Sequence, residues 1–226
     1  MKEGLSVERL AIKILEVAVL ETFVQDIVLQ GYAIIDNFLS VQEVLNLSTT
    51  LLAFYEKGKF KKAGIGNQTQ LQIVSEIRGD YICWLEKDTL QICNDLYFNK
   101  IDQVMDYLNS TCYLGITEIE AHFAVFPQGT HYRRHLDRFQ NSDNKNSSNI
   151  GNNKSRKLSI ICYLNPIWET ENGGELAMYL PDIDGCEQII KILPQGGRFI
   201  CFESHKIPHE VLIAHKDRYS LTGWLL

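Results

Sequence analysis

Apolar residues recur at helical spacing through the first part of the chain and at strand spacing through the second. Over residues 6–30 they fall at Leu10, Ile14, Val17, Leu20, Phe23 and Ile27, along one helix face, with Gly31 as the stop. Residues 33–36 read as a short strand. Ser40 with Glu43 three residues on forms a capping-box signature, and Leu47, Leu51 and Phe54 continue a helical face up to Gly58. Residues 58–72 hold Gly58, Gly64, Gly66 and Asn67 and read as loop. A third helix is expected over residues 89–108, with a break near Asn99.

From residue 117 the period changes to two. Strands are predicted over 117–126, 157–164, 175–180, 188–193, 198–202, 209–213 and 218–225. Turn residues separate them, among them Asn165-Pro166, Gly173-Gly174, Pro181-Asp182, Gly196-Gly197 and Pro208. Short strands so spaced imply a jelly-roll sandwich or barrel. The expectation is one α+β domain over residues 1–226, with 1–116 mainly helical support and 117–226 the β core. Residues 141–153 contain six Asn and three Ser; such a tract cannot bury a core and reads as a mobile surface loop.

Composition narrows the function classes. At 226 residues the chain can bury one sizeable core. A formal charge of −6 argues against non-specific nucleic-acid binding, which calls for a basic surface. The longest apolar-rich stretch, 10–29, is interrupted by Lys13, Glu16, Glu21, Gln25 and Asp26, so no membrane span or secretory signal is expected. The six cysteines are scattered without a C-x-x-C pair and read as reduced thiols of a cytoplasmic protein.

His135 and Asp137 stand at i and i+2. If that segment is extended, both side chains leave one face and can grip one side of a metal. A third ligand must come from elsewhere, and His209 is the candidate. Two neutral imidazoles and one carboxylate leave positions open and suit non-haem Fe(II). Zinc is the competing reading, because His131/His135 and His205/His209 are each four apart. Pro208 and Pro127 argue against helix at both places, and no H-E-x-x-H is present. His122, His131, His205 and His215 read as ordinary surface or strand residues, with His131 near the pocket mouth.

Arg218 begins the last predicted strand. Period two places Arg218, Ser220, Thr222 and Trp224 on one face and Tyr219, Leu221 and Leu225 on the other. An inward arginine beside a threonine suits a pocket for a carboxylate, because guanidinium offers a bidentate fork. A surface ion pair is the blander alternative for Arg218.

The ordered set of Ile77–Asp80 with Trp84, His131–Phe139, Lys157–Trp168, Gly173–Leu176, Pro208–Val211 and Arg218–Trp224 resembles the prolyl 4-hydroxylase-type 2-oxoglutarate oxygenases. The branch it resembles contains the hypoxia-inducible-factor prolyl hydroxylases and their bacterial relatives. The resemblance implies a double-stranded β-helix core packed against helices, with decarboxylation of 2-oxoglutarate to succinate coupled to O2-dependent hydroxylation. It implies iron on His135, Asp137 and His209, and Arg218 on the distal carboxylate of 2-oxoglutarate, with Tyr163 and Thr222 beside it. It places Arg156 and Trp224 at the peptide-substrate pocket, with Asp80 as a partner for Arg156.

Two departures stand out. Phe126 occupies a position that is tyrosine in the hypoxia-sensing relatives, a loss of one hydrogen bond, about 0.5–1.5 kcal/mol net. The Asn-rich tract falls where relatives carry a substrate-covering loop. The implied substrate is a prolyl residue in a protein, with elongation factor Tu the candidate by resemblance to bacterial relatives, and ascorbate the expected reductant. A small-molecule or free amino-acid hydroxylase of the same fold stays open, as does a catalytically silent metal-binding jelly-roll module.

Overall fold

Two layers of antiparallel strands lie face to face in the computed structural model, which describes residues 17–64, 74, 76–85, 93–137, 155–181 and 186–226. Helix α1, described over 17–30, turns Phe23 and Ile27 inward and leads into β1 (Tyr32–Ile35). Helix α2 (Val41–Glu56) begins at a complete capping box: Glu43 N–H donates to Ser40 Oγ at 3.3 Å, and Ser40 N–H donates to the Glu43 carboxylate at 2.7 Å. The chain continues through β2 (Lys61–Lys62), β3 (Tyr81–Leu85), α3 (Cys93–Cys112), β4 (Ile119–Phe126), β5 (Tyr132–His135) and β6 (Leu158–Tyr163). It ends with β7 (Leu176–Pro181), β8 (Glu187–Ile192), β9 (Phe199–Glu203), β10 (His209–Val211) and β11 (Arg218–Leu225).

The larger sheet runs β1-β9-β6-β11-β4-β3-β2 and the smaller β5-β10-β7-β8, with every pair antiparallel. This is a double-stranded β-helix with helices on one side. The pleat assigns its two cores. Phe123, Leu158, Ile160, Cys162, Phe199, Cys201, Leu221 and Leu225 face the helices, where they meet Leu47, Leu51, Ile101 and Leu108. Ala124, Phe126, Ile161, Tyr163, Ile200 and Phe202, from the same strands, face the smaller sheet and meet Leu176, Met178 and Val211. Complete burial of one such large side chain contributes roughly 1.5–3 kcal/mol, so both faces of the central strands are held by packing.

Three features differ from the sequence expectation. Helix α3 passes through Asn99 without a break, since Ile101, Val104 and Leu108 keep a buried face at helical spacing. Strand β2 lies in the stretch read as loop, and β3 lies between that loop and the third expected helix, where no element was assigned; β3 extends the large sheet by pairing with β4. The strand carrying His135 ends at that residue, and Asp137 lies in the bend beyond it. The tract at 141–153, most of the expected loop at 58–72 and the first residues of the third expected helix lie outside the described residues. Among the described residues no helix is long and apolar enough to cross a membrane.

Candidate metal centre and cosubstrate cradle

The pairing of β5 with β10 sets His135 directly opposite His209. Their rings are 4.3 Å apart between centroids, and Asp137 returns from the bend to face both. His135 Nε2 lies 3.6 Å from Asp137 Oδ1, and His209 Nε2 lies 3.7 Å from Asp137 Oδ2. One ligand atom from each of the three falls within 4.8 Å of the others, and His131 and His205 take no part.

Backbone carbonyls fix the tautomers. The Nδ1 of His135 is 2.8 Å from Arg133 O and that of His209 is 3.1 Å from Ile207 O; a carbonyl only accepts, so each Nδ1 carries the proton. Both Nε2 lone pairs are left to face the carboxylate, the arrangement metal-binding histidines usually have. Burial holds the His209 pKa down to about 4, so its ring is neutral at neutral pH. Burial alone would raise the Asp137 pKa; the charge that the facing His209 gains at acid pH, together with His135 and a hydrogen bond from Ser159, outweighs it and holds the carboxyl well below its usual range. Two imidazole Nε2 atoms and one ionised carboxylate, brought together between the sheets, fit a divalent iron with open coordination positions.

Deeper between the sheets lies Arg218, only 1% exposed. Its Nε donates to Gly174 O at 2.9 Å, while its guanidinium carbon lies 4.9 Å from the Tyr163 ring and 5.0 Å from the Phe126 ring. Among the described residues no carboxylate pairs with it. Burial lowers its pKa, and the adjacent Tyr163 hydroxyl offsets part of that. A buried cation without a counter-charge is costly, and an anion placed against this guanidinium would relieve that cost. The Tyr163 hydroxyl, beside the guanidinium, is also buried without a hydrogen-bond partner, and Arg218 and Thr222 line a cavity of about 490 Å³, its open side included. The donors present fit the carboxylate of a small 2-oxo acid. Gly174 makes room for the arginine: its φ of +68° is left-handed, and a Cβ there would sit 3.1 Å from Arg218 Cδ.

At the cavity mouth the Arg156 guanidinium lies over the Trp224 ring, 3.5 Å from its centroid. The expected partnership of Arg156 with Asp80 is not made. Asp80 is wholly buried and takes two hydrogen bonds from Arg78, at 2.6 and 2.9 Å, whereas Arg156 pairs with Glu120 at 3.2 Å. The nearer guanidinium, two residues away in sequence, claims the carboxylate.

Sequence reasoning missed three further cavity residues. Arg78 also covers the Tyr132 ring (4.5 Å), which in turn stacks on His135 (3.6 Å, 19°). His122, read as an ordinary surface or strand residue, is a buried residue of β4, 5.0 Å from the Trp84 ring and 5.5 Å from that of Trp224. Burial, with Arg78 and Arg156 nearby, pushes its pKa down to about 3. Its Nδ1 and the Trp224 Nε1 are buried without partners. Part of the signal was available, since period two puts His122 on one pleat face with Ala124 and Phe126, but its pairing with Thr222 emerges only from the register of the sheet.

A partly buried His–Asp–His cluster between the sheets of a double-stranded β-helix offers the ligand set of a non-haem metal site, with a buried arginine behind it whose fork is open to an anion. Residues 121–226 match the 2OG-Fe(II) oxygenase superfamily. A prolyl-4-hydroxylase from Pseudomonas putida is similar in structure with a TM-score of 0.75, 33% identical, over 92% of this chain and 98% of that one. A Trichoplax adhaerens prolyl hydroxylase, solved with a hypoxia inducible factor oxygen degradation domain peptide fragment, is 27% identical with a TM-score of 0.75, over 92% and 89% of the two chains. Egl nine homolog 1 from Homo sapiens is 28% identical over 201 residues, covering 86% of this chain; the chain spans 43% of that relative's length. The chain belongs to the prolyl hydroxylase type of 2-oxoglutarate- and Fe(II)-dependent oxygenases.

Proposed function

We propose that this protein hydroxylates a prolyl residue of a protein substrate, with 2-oxoglutarate and O2 as cosubstrates, Fe(II) on His135, Asp137 and His209, and ascorbate as reductant. The observation that carries the reading is the buried, unpaired Arg218 behind the metal ligands, which marks a place for a dicarboxylic 2-oxo acid. When bound, the iron and 2-oxoglutarate supply O2 activation, with loss of CO2 and formation of succinate. Arg218 binds and orients the distal carboxylate, and the Tyr163 hydroxyl donates to it. Thr222 contributes the third polar group of that cradle. Phe126 closes the cradle with an apolar wall and leaves the anion to Arg218 and Tyr163.

Substrate enters on the side of Arg156 and Trp224 in this reading. The indole N–H of Trp224 and the Nδ1 of His122, both without protein partners, suit the amide groups that flank a proline. Asp80 acts through Arg78, which braces the Tyr132 ring against His135. No side chain serves as a general acid or base. The work of the protein is to orient its ligands and to exclude water from the reacting centre.

The Trichoplax complex with a peptide fragment supports a polypeptide substrate. Elongation factor Tu is the candidate, and the cytoplasm the place of action. The test is to incubate the protein with Fe(II), ascorbate and 2-oxoglutarate and either elongation factor Tu or free proline, then map added oxygen by mass spectrometry. One added oxygen on a proline of elongation factor Tu is the expected result. Oxidation of free proline alone would favour a small-molecule hydroxylase, and no succinate under any condition would overturn the reading.

A further inference from the structure

Ser159 and Ser204 are both wholly buried, and neither has a place in the ligand set or the cradle described above. Ser159 lies on β6, on the face that carries Ile161 and Tyr163, and its Oγ is 2.6 Å from Asp137 Oδ2. Ser204 follows β9, at the start of the turn that delivers His209, and its Oγ is 2.8 Å from Ser159 Oγ.

The direction of this chain follows from valence. Ionised Asp137 can only accept, so the single hydroxyl proton of Ser159 goes to Oδ2. Ser159 then has only lone pairs to offer Ser204, and Ser204 must donate. Hydrogen bonds aligned in this way polarise one another, so the donor to the carboxylate is stronger than a lone hydroxyl. Oδ2 is committed to Ser159, which fixes the rotation of the carboxylate about its stem. The same chain ties the turn carrying His209 to Asp137 through β6.

We propose that Ser204 and Ser159 form a positioning relay that registers Asp137 against His209 before metal arrives. This rests on the reading of His135, Asp137 and His209 as a metal centre. Neither serine touches substrate or cosubstrate; both act through Asp137.

The test uses Co(II) as a spectroscopic probe on the full chain. Metal affinity and the visible Co(II) absorption are measured for the wild type, S159A, S204A and S159T, with S48A as a buried-serine control and D137A as the ligand-loss control. Loss of an outer-shell partner typically weakens metal binding by about 10- to 100-fold. S159A is expected in that range with an altered Co(II) spectrum, S204A to lose less, and S159T to return towards wild type. S48A, remote on α2, is expected to match wild type even if it lowers the unfolding midpoint. Wild-type affinity and spectrum in both S159A and S204A would overturn the relay. An equal loss in S48A would overturn it as well, by reducing the effect to general destabilisation. If S159A does not fold, S204A and S159T decide the question. Wild-type protein that binds Co(II) no better than D137A would overturn the metal centre itself, a result distinct from failure of the relay alone.

Discussion

The two ends of the cavity are built on opposite terms. At the metal end every spare polar atom of the ligands is engaged: both Nδ1 atoms hold backbone carbonyls, and Asp137 holds Ser159. At the far end Arg218 has one hydrogen bond to a carbonyl, and the Tyr163 hydroxyl has none. The polar atoms of the metal end are held by the protein itself, whereas those of the far end are left for a partner that the protein does not supply. Stability and function therefore pull together at the triad and apart at Arg218.

Substitutions at the two ends should separate these terms. The largest effect is expected at the metal end. Asp137→Ala removes the only anionic ligand and should abolish metal-dependent succinate formation, read by a coupled succinate assay on protein whose fold is checked by circular dichroism. Residual turnover near wild type would break the comparison at its first member.

Arg218→Met comes next. Truncating one partner of a buried charge pair typically costs about 2–5 kcal/mol, so the KM for 2-oxoglutarate should rise at least about 30-fold. Without 2-oxoglutarate the same variant should be as stable as wild type or more so, because an unpaired buried charge has been replaced by an apolar side chain. Tyr163→Phe should be milder, raising that KM about 2- to 10-fold while leaving thermal stability unchanged or slightly improved, since it removes an unsatisfied hydroxyl.

A further prediction concerns pH, where the effect is gradual. His122 has a folded pKa of about 3 and His209 about 4, both below the ordinary 6.5. Between those values and 6.5 the unfolded chain binds more protons than the folded one. Metal-free stability should therefore fall as pH is lowered through that window, by up to about 1.4 kcal/mol per unit for each fully titrating histidine. Urea midpoints at several pH values would show this, and His122→Phe should flatten the slope by one proton.

Much of this contrast was legible before the fold was known, and the reason lies in the pleat. Period two along 218–225 separated Arg218, Thr222 and Trp224 from Tyr219, Leu221 and Leu225, and β11 sends the first set to the cavity and the second to the helix-facing core. Strand β3 escaped notice because its five residues, Tyr81–Leu85, show no polar-apolar alternation and are held by pairing with β4 rather than by a pattern of their own. Asp80 was assigned to the wrong arginine because sequence gives no distance, and Arg78 two residues away reaches it with two hydrogen bonds. His122 was read as an ordinary surface or strand residue because a lone histidine in a strand carries little signal of its own. Only its register with Thr222 and the flanking Trp84 and Trp224 rings reveal the burial.

The central claim is that Arg218 is the anion receptor behind the metal. Thermal unfolding of Mn(II)-loaded protein, with and without 2-oxoglutarate, tests it without turnover. A ligand that binds only the folded state stabilises it in proportion to ln(1 + [L]/Kd), so saturating 2-oxoglutarate should raise the wild-type midpoint. The account predicts that Arg218→Met loses this rise while keeping its ligand-free midpoint. An equal rise in the variant, or none in the wild type, would contradict it.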